Sequence, residues 1–290
     1  MELKGWDNLG RNLDDTLHHQ FKGLMEFLAD PILVNGRTWN NSLQIDVAAA
    51  IGVKSPGQVR TIKSILEKMG IIKINSLNMR IIPTSNSVIT PLGEVLLALV
   101  SIEERIGEIA AENHQIRKSI ETMYESFYVK ALIQYHFPDG ARKSDSRTPF
   151  HPLHATIKAL HKYHSLDKWE WYLLNTFILE NENPTQEQQF DNAINQYRAH
   201  TVTFSKADIT ENEKGHQYFP QYLGLSGLVT FQKVGRTWER MELGGNYTDI
   251  INCILDTNFI NCFFNNNLSV LNEEIDWDDD EHAEGLENYE

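Results

Sequence analysis

The residues best suited to binding chemistry are the basic side chains of residues 54–80. This stretch has six Lys or Arg and one acid, Glu67, which gives it a local charge of +5. Such a concentration of cations attracts a polyanion, because each neutralised phosphate releases counterions from DNA. The six basic residues are Lys54, Arg60, Lys63, Lys68, Lys73 and Arg80.

A helix is expected over residues 56–69, because its apolar residues recur at helical spacing and leave a polar opposite face. Arg and Gln can each form two hydrogen bonds with a base edge, whereas Thr, Ser and Lys more often hold phosphates. Arg60 and Gln58 are therefore predicted base contacts, and a merely solvated helix face is the alternative. The other DNA contacts predicted in this region are Lys54, Ser55, Thr61, Ser64, Lys68 and Arg80.

A second group of polar residues follows in the C-terminal half, where a helix is expected to begin near residue 214. Aromatic residues of that helix fit the core and a DNA contact equally well; they are Tyr218, Phe219 and Tyr222. In the segment 137–152, three cations either follow a DNA backbone or are solvated loop charges; they are Arg142, Lys143 and Arg147. The remaining predicted contacts are Lys214, His216, Gln217 and Gln221 on the helix, Arg236 at a hairpin tip and Arg240 in its return strand.

No catalytic or metal-binding constellation is predicted. Pro138-Asp139 resembles the opening of a nuclease site whose carboxylates and lysine bind Mg²⁺, but no Asp/Glu-x-Lys follows it, so a turn is expected. Cys253 and Cys262 have no zinc-ligand spacing. Four clustered histidines lack a carboxylate or cysteine at a recognisable ligand spacing, so surface and packing roles are expected for His151, His154, His161 and His164.

The elements that would position the first group follow from local signals. A helix over residues 14–29 is followed by a short helix capped by Ser42 and ending at Gly52. Ser55-Pro56 then begins the basic helix, which ends at Gly70. A hairpin is expected over residues 71–82, with its turn at 76–78, before Thr90-Pro91 begins another helix. This order is typical of a winged helix-turn-helix, whose second helix of the pair enters the major groove.

The same order recurs later in the chain. Residues 64–75 align without gaps to residues 221–232, which matches Gly70 to Gly227 and Leu66 to Leu223. A hairpin with its tip at 234–236 follows, and helices over residues 167–180 and 184–197 precede it. Residues 94–135 are predicted to form one or two long helices.

The predicted fold class is therefore mainly α with small β-hairpins, an α+β chain of two winged-helix subdomains joined by a helical segment. The predicted boundaries are 1–93 for the first subdomain, 94–152 for the helical connector and linker, 153–268 for the second subdomain, and 269–290 for an acidic, disordered tail.

The net charge of −14 is concentrated at the C-terminus. Residues 273–290 contain ten acids and no Lys or Arg, so residues 1–272 have 26 basic against 30 acidic groups, a charge of −4. The tail is either a solvated end, which is favoured, or a DNA mimic that competes for the basic face. No apolar window is long enough to cross a bilayer and the N-terminus lacks a signal peptide, so a cytoplasmic protein without a membrane partner is expected.

The doubled winged-helix pattern resembles the DNA-recognition region of type II restriction endonucleases of the AlwI, FokI and BpuJI kind. The resemblance spans most of residues 15–260 and includes Ile194-Asn195-Gln196-Tyr197-Arg198 and the segment 218–229. It implies sequence-specific binding of double-stranded DNA by a recognition module or subunit. Since the chain carries no nuclease motif, the resemblance also implies that a nuclease domain or partner supplies cleavage and any Mg²⁺; no cofactor is predicted in this chain.

Two other functional classes remain open from the sequence. A transcriptional or replication regulator would use the same folds, with dimerisation and a palindromic or repeated site. A protein-interaction scaffold would bind other proteins and show no salt-sensitive binding to duplex DNA.

Overall fold

The protein is mainly helical in the computed structural model, which describes residues 1–6, 11, 14–78, 85–136, 150–211, 215–234 and 237–256. Two small sheets accompany the helices in the described ranges. Residues 1–247 fall in one compact unit, and the described residues 248–256 fall in a second one. The predicted mainly helical class with small strands is confirmed, while the boundaries at residues 93, 152 and 268 stay predictions.

Four helices begin the first half: α1 (Asp15–Ala29), α2 (Pro31–Val34), α3 (Asn41–Ala50) and α4 (Pro56–Lys68). The predicted cap of α3, Ser42, is wrong, because the Asn40 side chain accepts the Leu43 N–H and starts the helix earlier. Ser55 caps α4 as expected by accepting the Gln58 N–H, and Gly52 and Gly70 have φ of 70° and 67°. The local start and stop signals therefore set these helix ends.

In the described residues, the first strand of the hairpin predicted over residues 71–82 pairs with a different segment. Ile72 instead forms one antiparallel bridge with Ile89, and the predicted turn is the 3₁₀ helix Ser76–Asn78. Residues 71 and 72 are buried, and the Lys73 N–H donates to the Val88 carbonyl, so the chain pairs with the segment just before the next helix. The predicted return strand at residues 81–82 lies outside the described residues, and the short helix α5 (Ser85–Val88) follows them.

Two long helices then form an antiparallel hairpin: α6 (Pro91–Glu112) and α7 (His114–Gln134). Thr90 caps α6 by accepting the Gly93 N–H, and Pro91 occupies its first turn, as predicted. Asn113 ends α6 and caps α7 by accepting from the Gln115 and Ile116 N–H groups. The expectation of one or two long helices is met by two.

The second half contains α8 (Pro152–Tyr163), β2 (Ser165–Asp167), α9 (Lys168–Phe177) and α10 (Pro184–Arg198). After these come the 3₁₀ helix Lys206–Asp208, β3 (Ile209–Glu211), α11 (Gly215–Leu225), β4 (Val229–Val234), β5 (Thr237–Leu243) and the 3₁₀ helix Gly245–Tyr247. The strands β2, β5 and β4 form an antiparallel sheet in that order. The predicted second hairpin is β4–β5, which is confirmed, whereas β2 was not predicted.

The N-terminal residues pack on this second half. Strand β1 (Leu3–Lys4) is parallel to β3, and the Trp6 indole N–H donates to the Ile178 carbonyl at 2.7 Å. The Trp6 ring also meets Phe150 and Trp171 edge to face, with centroids 5.1 Å apart in both pairs. The first residues of the chain thus belong to the core of the C-terminal half, although the prediction assigned them to the first subdomain.

The second unit is described over the helix α12 (Thr248–Leu255), in which Ile251 and Ile254 are buried. Across the described ranges, no helix combines the length and apolarity that crossing a bilayer requires.

Candidate nucleic-acid interface

The helix pair α3–α4 positions the first predicted contact residues. The five-residue turn between the two helices contains Gly52 at positive φ, and α4 buries Val59, Ile62 and Leu66 against the core as predicted. Met69, just beyond the helix, is buried as well. The opposite face consequently remains accessible: Lys54, Gln58, Arg60 and Ser64 are exposed, and Ser55, Thr61 and Lys68 are partly exposed.

Arg60 is held by a neighbouring helix. Its Nη1 donates to the Oε1 of Gln44 at 2.9 Å, and Gln44, on α3, is only 5% exposed. The guanidinium is therefore fixed at one edge by a buried amide, while its other N–H groups make no hydrogen bond within the described part of the chain. A planar donor restrained in this way loses less rotamer entropy when it binds a planar acceptor pair.

Gln58 has a structural role that the sequence analysis missed. Its Oε1 accepts the Lys54 backbone N–H at 2.7 Å, while its own backbone N–H donates to Ser55. This reciprocal pattern is a variant of the capping box, and the Ser-x-x-Gln spacing could have revealed it. A two-bond contact with adenine needs both the donor and the acceptor of the amide, so Gln58 would have to give up its cap to make one.

The local charge of +5 is only partly on the surface. Lys63 and Glu67 form an ion pair at 2.7 Å with both side chains 11% exposed, and Glu67 also accepts the Asn75 backbone N–H. These two charges are directed inward and neutralise each other. The accessible face of α4 and its preceding turn therefore carries Lys54, Arg60 and Lys68 without an exposed carboxylate from residues 54–68.

The geometry that follows α4 recurs after α11. Gly70 and Gly227 have φ of 67° and 69°. The Ile72–Ile89 bridge corresponds to the Val229–Leu243 pair of β4 and β5. Just beyond each return segment, a backbone N–H donates back to the first half of the repeat: Thr90 to Ile71 at 3.2 Å, and Gly244 to Leu228 at 2.8 Å. The offset of Gly227, Leu228 and Val229 from Gly70, Ile71 and Ile72 is that of the sequence alignment between residues 64–75 and 221–232.

The second predicted contact group is only partly described. Gln221 on α11 and Arg240 on β5 are exposed, whereas Phe219 and Tyr222 are buried, so these two aromatic residues belong to the core. Tyr218 is partly exposed. His216 and Gln217 lie in the first turn of α11. The predicted contacts outside the described residues are Arg80, Arg142, Lys143, Arg147, Lys214 and Arg236.

The end of α10, quoted above for the family resemblance, is occupied by structural contacts. The Tyr197 hydroxyl donates to Asp167 Oδ2 at 2.8 Å, and Arg198 Nε donates to Glu170 Oε1 at 2.6 Å. Asp167 and Glu170 form the capping box of α9, so these bonds fix α10 against the start of α9. This part of the resemblance therefore has an explanation in helix packing.

The histidines have the packing and surface roles expected from sequence. His151 and His154 are buried, and burial lowers the pKa of both, that of His151 to about 3, so both are neutral at pH 7. His161 and His164 are exposed. Among the described residues, no three His, Cys, Asp or Glu side chains cluster as metal ligands.

No protein-family model matches the chain, and no curated protein matches it either.

Proposed function

We propose that this protein binds double-stranded DNA sequence-specifically, with α4 as a recognition helix in the major groove. The observation that carries the proposal is the accessible face of α4, where Lys54, Arg60 and Lys68 are presented while Glu67, the one acid of residues 54–68, is paired with Lys63 and only 11% exposed at its side chain. Cations on such a face would neutralise phosphates, and Arg60 would contact a guanine edge.

A winged-helix interpretation of each half supports this proposal. In the second half, the order α8, β2, α9, α11, β4, β5 and the sheet order β2-β5-β4 fit that fold, with α10 added between α9 and α11. The β4–β5 hairpin would be its wing, with Arg240 beside a DNA backbone. In the first half, α1, α3 and α4 would be the three helices and the Ile72–Ile89 bridge the base of the wing.

The narrower proposal is that the chain is the target-recognition part of a restriction endonuclease. A nuclease domain or subunit would then supply the cleavage chemistry and its Mg²⁺. The support for this step is the pair of similar units, since two recognition helices can read an asymmetric site along one duplex.

Equilibrium binding by fluorescence anisotropy tests the proposal on a duplex selected from a randomised library and on a scrambled duplex. Arg60→Ala is expected to weaken binding to the selected duplex by roughly 5- to 150-fold, the range of about 1–3 kcal/mol for a two-bond base contact, with a smaller loss on the scrambled duplex. Arg60→Lys keeps the charge but loses the planar donor pair, so it should also lose discrimination.

The matched control is Arg105→Ala, which removes an exposed arginine from α6 rather than from the α4 face. It should leave both affinities close to those of the unmodified protein. Equal losses from the Arg60 and Arg105 changes on both duplexes would contradict a recognition role for α4. Absence of salt-sensitive binding to any duplex would reject the DNA-binding proposal itself.

A further inference from the structure

Gln44 is a buried amide on the otherwise apolar inner face of α3. The other buried residues of this helix are Leu43, Val47 and Ala48. Burying an amide among apolar side chains costs free energy unless a hydrogen bond satisfies it. The bond that Gln44 Oε1 accepts from Arg60 Nη1 is therefore the contact that compensates for its burial.

The chemistry of this pair fixes which end of the amide faces Arg60. A guanidinium has N–H donors and no acceptor, so only the carbonyl oxygen of Gln44 can bond to it. The 2.9 Å bond between Arg60 Nη1 and Gln44 Oε1 has this orientation. Because Gln44 is packed into the core, the bond fixes one corner of the guanidinium relative to α3 as well as to α4.

The guanidinium lies over the first turn of α4. A β-carbon placed on Gly57 would be 3.7 Å from Arg60 Nη2, so the arginine side chain extends back toward the N-terminus of the helix. Arg60 is exposed, and the edge formed by its Nε and Nη2 makes no hydrogen bond within the described ranges. In a helix-turn-helix, the N-terminal residues of the second helix contact the base edges. The unbonded edge therefore lies at the end of α4 that would meet the bases.

Arg60 differs from two other cations near the helix pair, because it is held by a neutral group. Arg37 Nη2 pairs with Asp46 Oδ2 on α3 at 2.6 Å, and Lys63 pairs with Glu67 at 2.7 Å. Carboxylates within the protein thus compensate both of those charges. The amide restrains Arg60 without compensating its charge, so the guanidinium keeps its attraction for a polyanion.

Restraint changes what an arginine can recognise. A mobile arginine can turn to any single acceptor, including phosphate oxygens and thymine O4, and so distinguishes bases poorly. A fixed pair of parallel donors needs two acceptors side by side, which guanine offers at O6 and N7. Adenine has an amino donor beside its N7, so it would leave one donor of Arg60 unpaired.

We infer that Gln44 is a positioning residue that makes Arg60 selective for guanine in the duplex. Gln44 acts through Arg60 and needs no contact with DNA, because it holds the guanidinium while the Nε–Nη2 edge meets the base. The inference rests on the proposed function of α4, and it assigns base selectivity to a buried residue outside the recognition helix.

Fluorescence anisotropy tests the inference on a library-selected duplex and on copies in which each G·C pair is replaced in turn by A·T. The pair read by Arg60 is the one whose replacement no longer matters in Arg60→Ala. At this pair, Gln44→Met should lower the affinity ratio of guanine over adenine by roughly 2- to 12-fold, because the freed arginine must be ordered on binding. Affinity for a scrambled duplex should stay unchanged.

Gln44→Glu is the conservative variant that separates restraint from charge. It keeps an oxygen acceptor and holds Arg60 by a charge-assisted bond, so the preference for guanine should persist. It also neutralises the guanidinium, so affinity for every duplex should fall, including the scrambled one. The matched control is Leu43→Met, which changes a neighbouring buried residue of α3 and should alter neither quantity.

A double-mutant comparison shows whether Gln44 acts through Arg60. In the Arg60→Ala background, Gln44→Met should change the guanine preference by less than about 2-fold. An equal loss in both backgrounds would indicate a general disturbance of α3 and overturn the inference. Circular dichroism checks that each variant is folded, and Gln44→Leu replaces Gln44→Met in every comparison if the methionine variant is unfolded.

The Arg60 and Gln44 results separate failure of the inference from failure of the proposed function. If Arg60→Ala loses the guanine preference but Gln44→Met keeps it, the inference is overturned and the recognition role of α4 stands. If Arg60→Ala keeps the preference, the recognition role of α4 is rejected and the inference with it.

Discussion

Gly93→Ala is predicted to destabilise the protein strongly, although alanine is the better helix former. A β-carbon at residue 93 would overlap the carbonyl oxygen of Ile71 and lie 2.8 Å from Cγ1 of Ile89. Favourable carbon contacts are about 3.5–4.0 Å, so the start of α6 would have to move away from the segment after α4. The glycine is therefore required by this close approach of two backbones.

The magnitude follows from what that movement disrupts. Overpacking of this kind costs about 1–3 kcal/mol, and separating Thr90 from Ile71 breaks a backbone hydrogen bond of 3.2 Å worth about 1 kcal/mol. The free energy of unfolding should fall by about 3 kcal/mol. In a protein of this size, that corresponds to a melting temperature lower by roughly 6–12 °C.

Urea unfolding followed by circular dichroism measures the effect, with Gly107→Ala as the matched control in the same helix. No atom lies within 4 Å of a β-carbon at residue 107, so this variant should be more stable by up to about 1 kcal/mol. Equal stability of the Gly93→Ala variant and the unmodified protein would refute the close-approach argument. Gly244→Ala should behave like Gly93→Ala, because its β-carbon would overlap the Gly227 carbonyl oxygen.

Three further predictions concern pH and local hydrogen bonds. Burial lowers the pKa of His18 to about 4, below its unfolded value of about 6.5, so the folded state binds fewer protons between these values. The contribution of His18 to the free energy of unfolding is therefore fully present above pH 6.5 and falls by up to about 3 kcal/mol toward pH 4. Urea unfolding between pH 7 and 4.5 should show this loss, and the unfolding free energy of His18→Gln should depend less steeply on pH. Gln58→Ala should lower unfolding free energy by about 1 kcal/mol while DNA discrimination persists, as comparing urea unfolding with anisotropy would reveal; loss of discrimination at unchanged stability would contradict the capping role. Asp167→Ala removes the α9 cap and the acceptor of Tyr197, so a loss of about 2 kcal/mol in the same unfolding assay is expected, and a loss no larger than that of Tyr197→Phe would contradict the contribution of the cap.

The parts of the fold that were predictable are those with local causes. The bounds of α4 follow from Ser55, Pro56 and Gly70, which act on the helix ends next to them. The repeat between the halves could also be predicted from sequence, because Gly70 and Gly227 are each followed by two apolar residues. Both glycines have a positive φ in the structure. The pairing of Ile72 was not predicted, because its partner Ile89 lies seventeen residues away, beyond the turn that local signals suggested.

The parts of the fold and of the candidate site that could not be predicted from sequence depend on contacts between residues far apart in the chain. The pairing of β1 with β3 joins two- and three-residue strands about 200 positions apart, which are too short to show a period. The bond between Arg60 and Gln44 joins two helices, so no spacing within α4 reveals it. The Lys63–Glu67 pair, in contrast, has the i,i+4 spacing that could have predicted its neutralisation.

The most direct test of the central claim is selection of a randomised duplex library on the purified protein at moderate salt, with and without Mg²⁺. The account predicts one enriched sequence motif on uncut DNA, with retention that falls steeply as salt rises. A library that shows no enrichment and no salt-sensitive retention would contradict sequence-specific DNA binding. Duplexes cut in the presence of Mg²⁺ would contradict the assignment of cleavage to a partner.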